Sequence, residues 1–386
     1  MKMEKFLEIR EQSLFLGRKK LILLSLMVMF VLQTKAQDPV YSLFYLNKMA
    51  LNPAYAGANR DLNFSVMSRM QWTGVPGKMQ TTTASLDVAC PSSKLGFGAM
   101  FYNDQAGEGF LTKTQGTFVM SANLPGRYSK NIGLRGLRGR KYIFSAGLSY
   151  GVGQRRVDWS TLVFSDQIDE LLGVYKPSNA LIGSAETSNL VHDLSGGILF
   201  RSEISKSGSF LSTGFSIYHI NRPVESFYGE NITVPIRYSG HLYFNIKTSG
   251  KYKNGTPSFL TLGGNVDYQA TLQTTLLGGT YTFGKNILLG VWYRNQKFNL
   301  PNSNTNSAVF NMVYSMNWLS VGYSFDLTTS QLGLDQTYGA HEVGINIRFD
   351  QVYLCKNKSK SNRSDRKCFM VDHKHLKKNE LINFLP

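Results

Sequence analysis

The chain has 386 residues, of which 12% are aromatic and only 17% charged, with 36 glycines. A soluble globular protein carries about a quarter charged residues, so this mixture points instead to strands facing lipid, with aromatic girdles and charge confined to loops or lumen. The net charge of +17 is concentrated at the ends, where residues 1–36 contribute +4 and 351–386 contribute +6; solvated tails and turns explain it, and a nucleic-acid partner is not indicated.

The N-terminus is an address. Arg18-Lys19-Lys20 precedes the twelve-residue apolar run Leu21–Leu32, and Thr34-Lys35-Ala36 places small residues where a signal peptidase reads. That run is shorter than the roughly 20 residues a membrane-spanning helix needs, and no other run in the sequence is longer. Residues 1–36 are therefore read as a cleaved signal peptide with a long leader. An integral membrane protein of this sequence must be a β-barrel, the other structure that satisfies all its backbone groups in lipid. Residues 37–61 are read as a periplasmic N-terminal segment. Its aromatics, Tyr41, Phe44, Tyr45 and Tyr55, are too apolar for a flexible linker, so it either caps the mouth or enters the lumen.

From Leu62 onward, segments of about ten residues alternate in polarity between turn residues, the signature of barrel strands. Tyr142, Phe144, Ala146, Leu148 and Tyr150 share one face against Ile143, Ser145, Gly147 and Ser149. His341, Val343, Ile345, Ile347 and Phe349 stand likewise against Glu342, Gly344, Asn346 and Arg348. Period two separates such sets into a lipid face and a lumen face. The predicted strands are 62–72, 79–90, 94–103, 113–124, 141–152, 190–201, 209–219, 236–248, 257–267, 271–281, 285–295, 307–315, 317–326 and 339–349. The fold class is thus all-β, a transmembrane antiparallel barrel of about fourteen strands across 62–349. Gaps after odd-numbered strands, such as 153–189 and 220–235, are the longer ones and are assigned to the extracellular side; those after even-numbered strands are mostly short and assigned to the periplasm. The basic stretch 125–140 is the exception. The remainder, 350–386, is Lys-rich and without periodicity, so it reads as a disordered periplasmic tail.

Little in the chain suggests chemistry. Cys90, Cys355 and Cys368 form no even set and no CxxC, so neither a disulfide framework nor a zinc site is expected. Cys355 and Cys368 are expected to stand unpaired in the tail, with a bond between them as the alternative. No Ser, His and carboxylate fall at hydrolase spacing, and GxSxG is missing. Asp166, Asp169 and Glu170 read as an ordinary acidic loop, with calcium chelation the lesser alternative.

Short motifs then recur in order. Gln37-Asp38-Pro39, Tyr41-Ser42 and Asn52-Pro53-Ala54-Tyr55-Ala56-Gly57 come first. Arg69 with Gln71-Trp72, Asp104 with Ala106-Gly107, then Gly147, Gly151, Gln154, Asp158 and Asp166-Gln167 follow. Later stand His219-Ile220-Asn221-Arg222-Pro223, Ser226-Phe227, Pro235 with Arg237-Tyr238, and Trp292-Tyr293-Arg294. Gly322-Tyr323-Ser324-Phe325-Asp326, Thr329-Ser330-Gln331-Leu332 and His341-Glu342 complete the series. Together, over 37–349, they resemble the PorP/SprF membrane proteins of the Bacteroidota type IX secretion system.

That resemblance implies a non-enzymatic outer-membrane component of protein secretion, without cofactor or metal, tied to export of surface adhesins and to gliding motility. The partners it implies are the translocon, periplasmic ring components, cargo with a C-terminal sorting domain, and outer-membrane lipid. A passive porin-like channel is the alternative. Candidate partner-binding residues are Asp38, Pro39, Asn52, Pro53, Asp166, Asn221, Arg222, Pro223 and Phe227, the last three because Pro-fixed backbone with an aromatic makes a stiff loop surface.

Overall fold

The computed structural model describes residues 38–355 except 60, 78, 108–110, 129–138, 170, 172, 179–186, 206–207, 228, 230, 249–257, 285, 299–304, 317, 331–332, 350–351 and 353. The signal segment 1–36 and the tail from 356, with Cys368, lie outside them.

Fourteen antiparallel strands close into a barrel. They are β1 (Leu62–Gln71), β2 (Met79–Cys90), β3 (Leu95–Ala106), β4 (Leu111–Arg127), β5 (Lys141–Arg156), β6 (Val191–Glu203) and β7 (Phe210–Tyr218). Then come β8 (Arg237–Thr248), β9 (Ser258–Gln269), β10 (Leu272–Phe283), β11 (Ile287–Phe298), β12 (Thr305–Ser315), β13 (Leu319–Thr328) and β14 (Ala340–Phe349). Each strand pairs with its sequence neighbour, and β14 returns to β1 with Leu62 opposite Phe349 and Gln71 opposite Ala340. Closure leaves no edge, so every strand's backbone is paired on both sides, as a lipid environment requires. All fourteen predicted strands are present. The largest shift of a single boundary is at the end of β5, which runs on to Arg156 because Gln115, Thr114 and Lys113 of β4 continue to pair with Gly153, Gln154 and Arg155.

The alternation has the inverted sense of a membrane barrel. On β8, Leu242, Phe244 and Ile246 are exposed while His241, Tyr243 and Asn245 are buried; on β12, Phe310, Met312 and Tyr314 are exposed between buried Asn311, Val313 and Ser315. Apolar side chains thus face outward and a largely polar set faces the lumen. Among the described residues no helix is long and apolar enough to cross a membrane, which says nothing about crossing with strands.

Antiparallel order gives the barrel two rims. One, the short-turn rim, carries the start of β1 and the end of β14. The other, the long-loop rim, carries residues 157–190 and 219–236, the former containing a small hairpin of Ile168–Asp169 with Gly173–Val174.

A barrel of this strand number has more interior than wall side chains fill. Here the space is taken by the chain's own residues 38–59, referred to below as the plug. It includes one helical turn, Lys48–Leu51, and a 3-10 turn, Pro53–Tyr55. Leu43, Phe44, Tyr45, Leu46, Ala54 and Tyr55 are all buried. They pack on Met67, Leu199, Tyr243 and Trp292 from opposite sides of the wall. Phe44 stacks on Tyr243 and meets Trp292 edge-on, each with centroids 5.4 Å apart, and such pairs add about 0.5–1.5 kcal/mol beyond burial. The segment assigned from sequence to the periplasmic side is therefore housed in the lumen, where its aromatics find their burial.

One cysteine expectation is overturned. Cys90, at the end of β2, is disulfide-bonded to Cys355 beyond β14, with Cα atoms 4.9 Å apart, within the range a disulfide spans. Sequence separation of 265 residues hid this pairing; it exists because barrel closure brings the chain's late part back beside β2.

Candidate functional site

The plug is held by three sets of lumenal residues, taken here from the long-loop rim inward. At that rim Asp38 is the first described residue. Its backbone N–H donates to Gln269 Oε1 (3.0 Å), and its Oδ2 lies 2.7 Å from His219 Nε2 and 3.2 Å from Arg237. His219 Nδ1 in turn meets Asp193 Oδ1 at 2.9 Å. His219 follows β7 with φ +58°, a left-handed turn that His tolerates better than most residues and that aims its ring into the lumen. Burial opposes ionisation of both partners, but charge pairing outweighs it: facing His219 and Arg237, the Asp38 carboxyl is held below the usual carboxylate range. Facing Asp38 and Asp193, His219 is raised to about 9.

Deeper lies a clasp of four charges around Ser42. Arg69 of β1 donates to Asp326 (2.7 Å) and Glu342 (3.2 Å), and Arg294 of β11 also pairs with Asp326. Two cations and two anions make the group neutral, the condition under which buried charges are tolerated. The plug enters this group directly. Ser42 N–H and Leu43 N–H donate to the two oxygens of Glu342 at 2.7 and 2.9 Å. Ser42 Oγ donates to Asp326 (2.7 Å) and accepts from Arg69 (2.9 Å) and Arg294 (2.7 Å). Asn311 donates to the Ser42 carbonyl at 3.1 Å.

The third set meets the Asn52–Gly57 motif. Asn52 caps the 3-10 turn by accepting from Ala54 N–H (2.9 Å) and donates to the wall carbonyl of Ile198 (2.9 Å). Tyr55 OH lies 3.2 Å from both Ser212 Oγ and His241 Nε2. Ser121 and Asn123 donate to the Ala56 carbonyl, and Gly57 N–H donates to Asp87 (3.0 Å). Contact is so close that a Cβ at Gly147 would lie 2.6 Å from the Pro53 and Ala54 backbone, and one at Gly57, where φ is +60°, 2.6 Å from Gly96 Cα. Glycine is required at both positions.

The candidate residues therefore divide. Asp38, Asn52 and Pro53 are engaged inside the barrel, and Pro39 lies beside them near Arg237. The other five lie in the connections of the long-loop rim. Asp166 accepts from Ser178 Oγ at 2.8 Å. Asn221 accepts from Leu194 N–H (3.0 Å), fixing the β7–β8 loop to the wall. Arg222 is exposed, Pro223 buried and Phe227 half-buried. This loop folds inward, with Glu225 paired to Lys113 (2.9 Å) and Arg155 (2.8 Å). The sequence list omitted Arg69, Arg294, Asp326, Glu342 and Asp193. The signal available for them was charge at lumen-phase positions within alternating strands. No group of three or more His, Cys, Asp or Glu side chains that could hold a metal ion occurs among the described residues.

The sequence profile of type IX secretion system membrane proteins PorP/SprF matches residues 33–347. The chain belongs to the PorP/SprF family. Its motifs Tyr41-Ser42, Arg69, Trp292-Tyr293-Arg294, Gly322 to Asp326 and His341-Glu342 converge on the Ser42 clasp. No curated protein matches the sequence significantly. Among solved structures it is similar to CdiB from Acinetobacter baumannii, at 10% identity and TM-score 0.38, over 75% of this chain and 60% of that one. A BamA from Haemophilus ducreyi lacking POTRA domains 1–3 gives the same identity and score, over 75% and 70%. The translocator domain of the autotransporter NalP from Neisseria meningitidis matches at 11% identity and TM-score 0.30, over 80% and 100%. The chain spans 60% of the length of CdiB. A β-barrel member of this secretion family fits the outer membrane, and family and fold together suggest a component that is not an enzyme.

Proposed function

We propose that this PorP/SprF protein is a plugged, non-conducting barrel that assists export or anchoring of particular surface proteins and is not itself the conduit. The single observation that carries the reading is the filled lumen: residues 38–59 occupy it, tied by backbone and side chain to strands all round the wall. A passive porin needs a hydrated path, and the plug, bonded to the wall at Glu342, Ile198, Ser212 and Ser121, stands in it.

In this reading residues 1–36 direct export and are cleaved, and the long-loop rim faces the cell exterior. That rim carries Asp166, Asn221, Arg222, Pro223 and Phe227 and offers the surface for the translocon or for cargo bearing a C-terminal sorting domain, adhesins of gliding motility included. Asp38, Pro39, Asn52 and Pro53 act by holding the plug. Periplasmic ring components meet the opposite rim. No catalytic step is assigned to any residue.

Deletion with comparison of the secreted proteome tests the reading. The expected result is retention of particular surface proteins inside the cell with small-solute permeability unchanged, and no conductance of the purified barrel in planar bilayers. An intact secreted proteome together with steady open-channel conductance would establish the porin instead.

A further inference from the structure

The place where the barrel closes is fastened twice, from inside and from the short-turn rim. Inside, Arg69 and Glu342 are direct partners across the β1–β14 pairing, as are Ser65 and Asn346. The plug bridges both pairs. Ser42 bonds to Arg69 and Glu342. The Leu46 carbonyl accepts from Ser65 (2.8 Å) and Asn346 (3.5 Å). At the rim, β14 ends at Phe349, and a few residues on Leu354 N–H donates to the Ala89 carbonyl of β2 (3.0 Å) and Cys355 is bonded to Cys90.

We propose that the Cys90–Cys355 disulfide is a closure-dependent lock on the β1–β14 seam. The chain between the two cysteines carries β3 to β14, so the bond turns those strands into a covalent ring joined at β2. β1 lies outside that ring: it is joined covalently only to β2, and its contact with β14 is made by hydrogen bonds alone. Cys355 lies six residues beyond Phe349, a reach of roughly 20 Å when extended, whereas β14 and β2 stand two strand spacings apart, about 10 Å. The arm therefore reaches β2 once β1 is seated between them, and afterwards its slack limits how far the seam can part at that rim. Formation is a thiol–disulfide exchange: the Cys90 and Cys355 thiols give up two protons and two electrons, and the disulfide of a periplasmic thiol oxidoreductase takes them up to become a dithiol. Reduction by a dithiol reverses it and frees the seam.

Two measurements on the full-length protein purified from outer membranes test this. Peptide mapping after alkylation without reductant should recover Cys90 linked to Cys355; free thiols at both positions, or a Cys355–Cys368 bond in its place, overturn the proposal. Hydrogen exchange should then be compared between oxidised protein, the same protein reduced in detergent, and Cys90→Ser. Residues 62–66 and 345–349 are expected to exchange at least tenfold faster without the bond, while β7 and β8 on the far wall do not change. Unchanged exchange at the seam, or equal acceleration all round the barrel, overturns it. If Cys90→Ser does not assemble, the reduced wild-type protein gives the same comparison.

Discussion

Arg69 and Glu342 face each other across the junction of the first and last strands, and both reach the same plug residue, Ser42. Barrel closure and plug docking therefore share one set of charges. Replacing Glu342 with Ala would leave Arg69 with one acidic partner instead of two and two plug N–H groups without acceptors. Breaking a buried pair in this way costs about 3–5 kcal/mol. Urea unfolding in detergent should show a loss of that size for Glu342→Ala. A smaller loss is expected for Glu342→Gln, whose amide oxygen still accepts one N–H. Wild-type stability in the alanine variant would mean the clasp does not hold the plug.

A second prediction separates the plug from the wall. Gly147 faces the plug so closely that any Cβ meets the Pro53–Ala54 backbone at 2.6 Å. Backbone cannot swing aside as a side chain can, so Gly147→Val should displace residues 52–57 while the β5 ladder persists. The expected sign is conductance in planar bilayers from a protein that still migrates as a folded, heat-modifiable barrel. A folded but silent Gly147→Val would show that the lumen stays shut by other means.

The Asp38–His219 contact makes docking at the long-loop rim depend on pH. His219 is raised from 6.5 to about 9 in the folded protein, so its contribution is full below the unfolded value and is lost as pH rises through about 9. Asp38 is lowered from 3.8, so its contribution is present above that value and lost as pH falls beneath it. Both act together between about pH 4 and 6.5. Thermal stability in detergent should fall between pH 6 and pH 10, and His219→Gln should show a smaller fall over the same interval. Equal pH dependence in the two proteins would remove His219 from the interaction.

The wall was legible because period-two alternation and turn residues are local, and β2 and β14 agree with their predicted spans within a residue at either end. The motifs were legible as a series but not as a site. Ser42, Arg69, Arg294, Asp326 and Glu342 are spread over 300 residues, and nothing local says that strands 1, 11, 13 and 14 present them to one point. The N-terminal aromatics demanded burial, which left cap and lumen open; the wall residues that receive them, such as Tyr243 and Trp292, decide for the lumen. Cys90–Cys355 was illegible for the same reason as the clasp, since a contact that arises from ring closure has no sequence spacing to announce it.

The last prediction fixes the barrel in its membrane. The short-turn rim carries the end of β14, Leu354 and the disulfide, while the long-loop rim carries 157–190 and 219–236. Barrels of this kind keep short turns in the periplasm and send longer loops outward, and the exposed tip of the 157–178 region, with Leu171 at 94% exposure, is open to a protease. A protease added to intact cells should therefore cut within 157–190. The 219–236 loop should resist for longer, because Glu225 is anchored to Lys113 and Arg155 and Asn189 Nδ2 donates to the Val224 carbonyl at 3.0 Å. Removing the anchor with Glu225→Ala should expose that loop to cleavage as well, leaving the barrel intact and the tail after Phe349 protected. Cleavage of the tail in intact cells with 157–190 untouched would turn the barrel over, and with it the assignment of the long-loop rim to cargo and translocon.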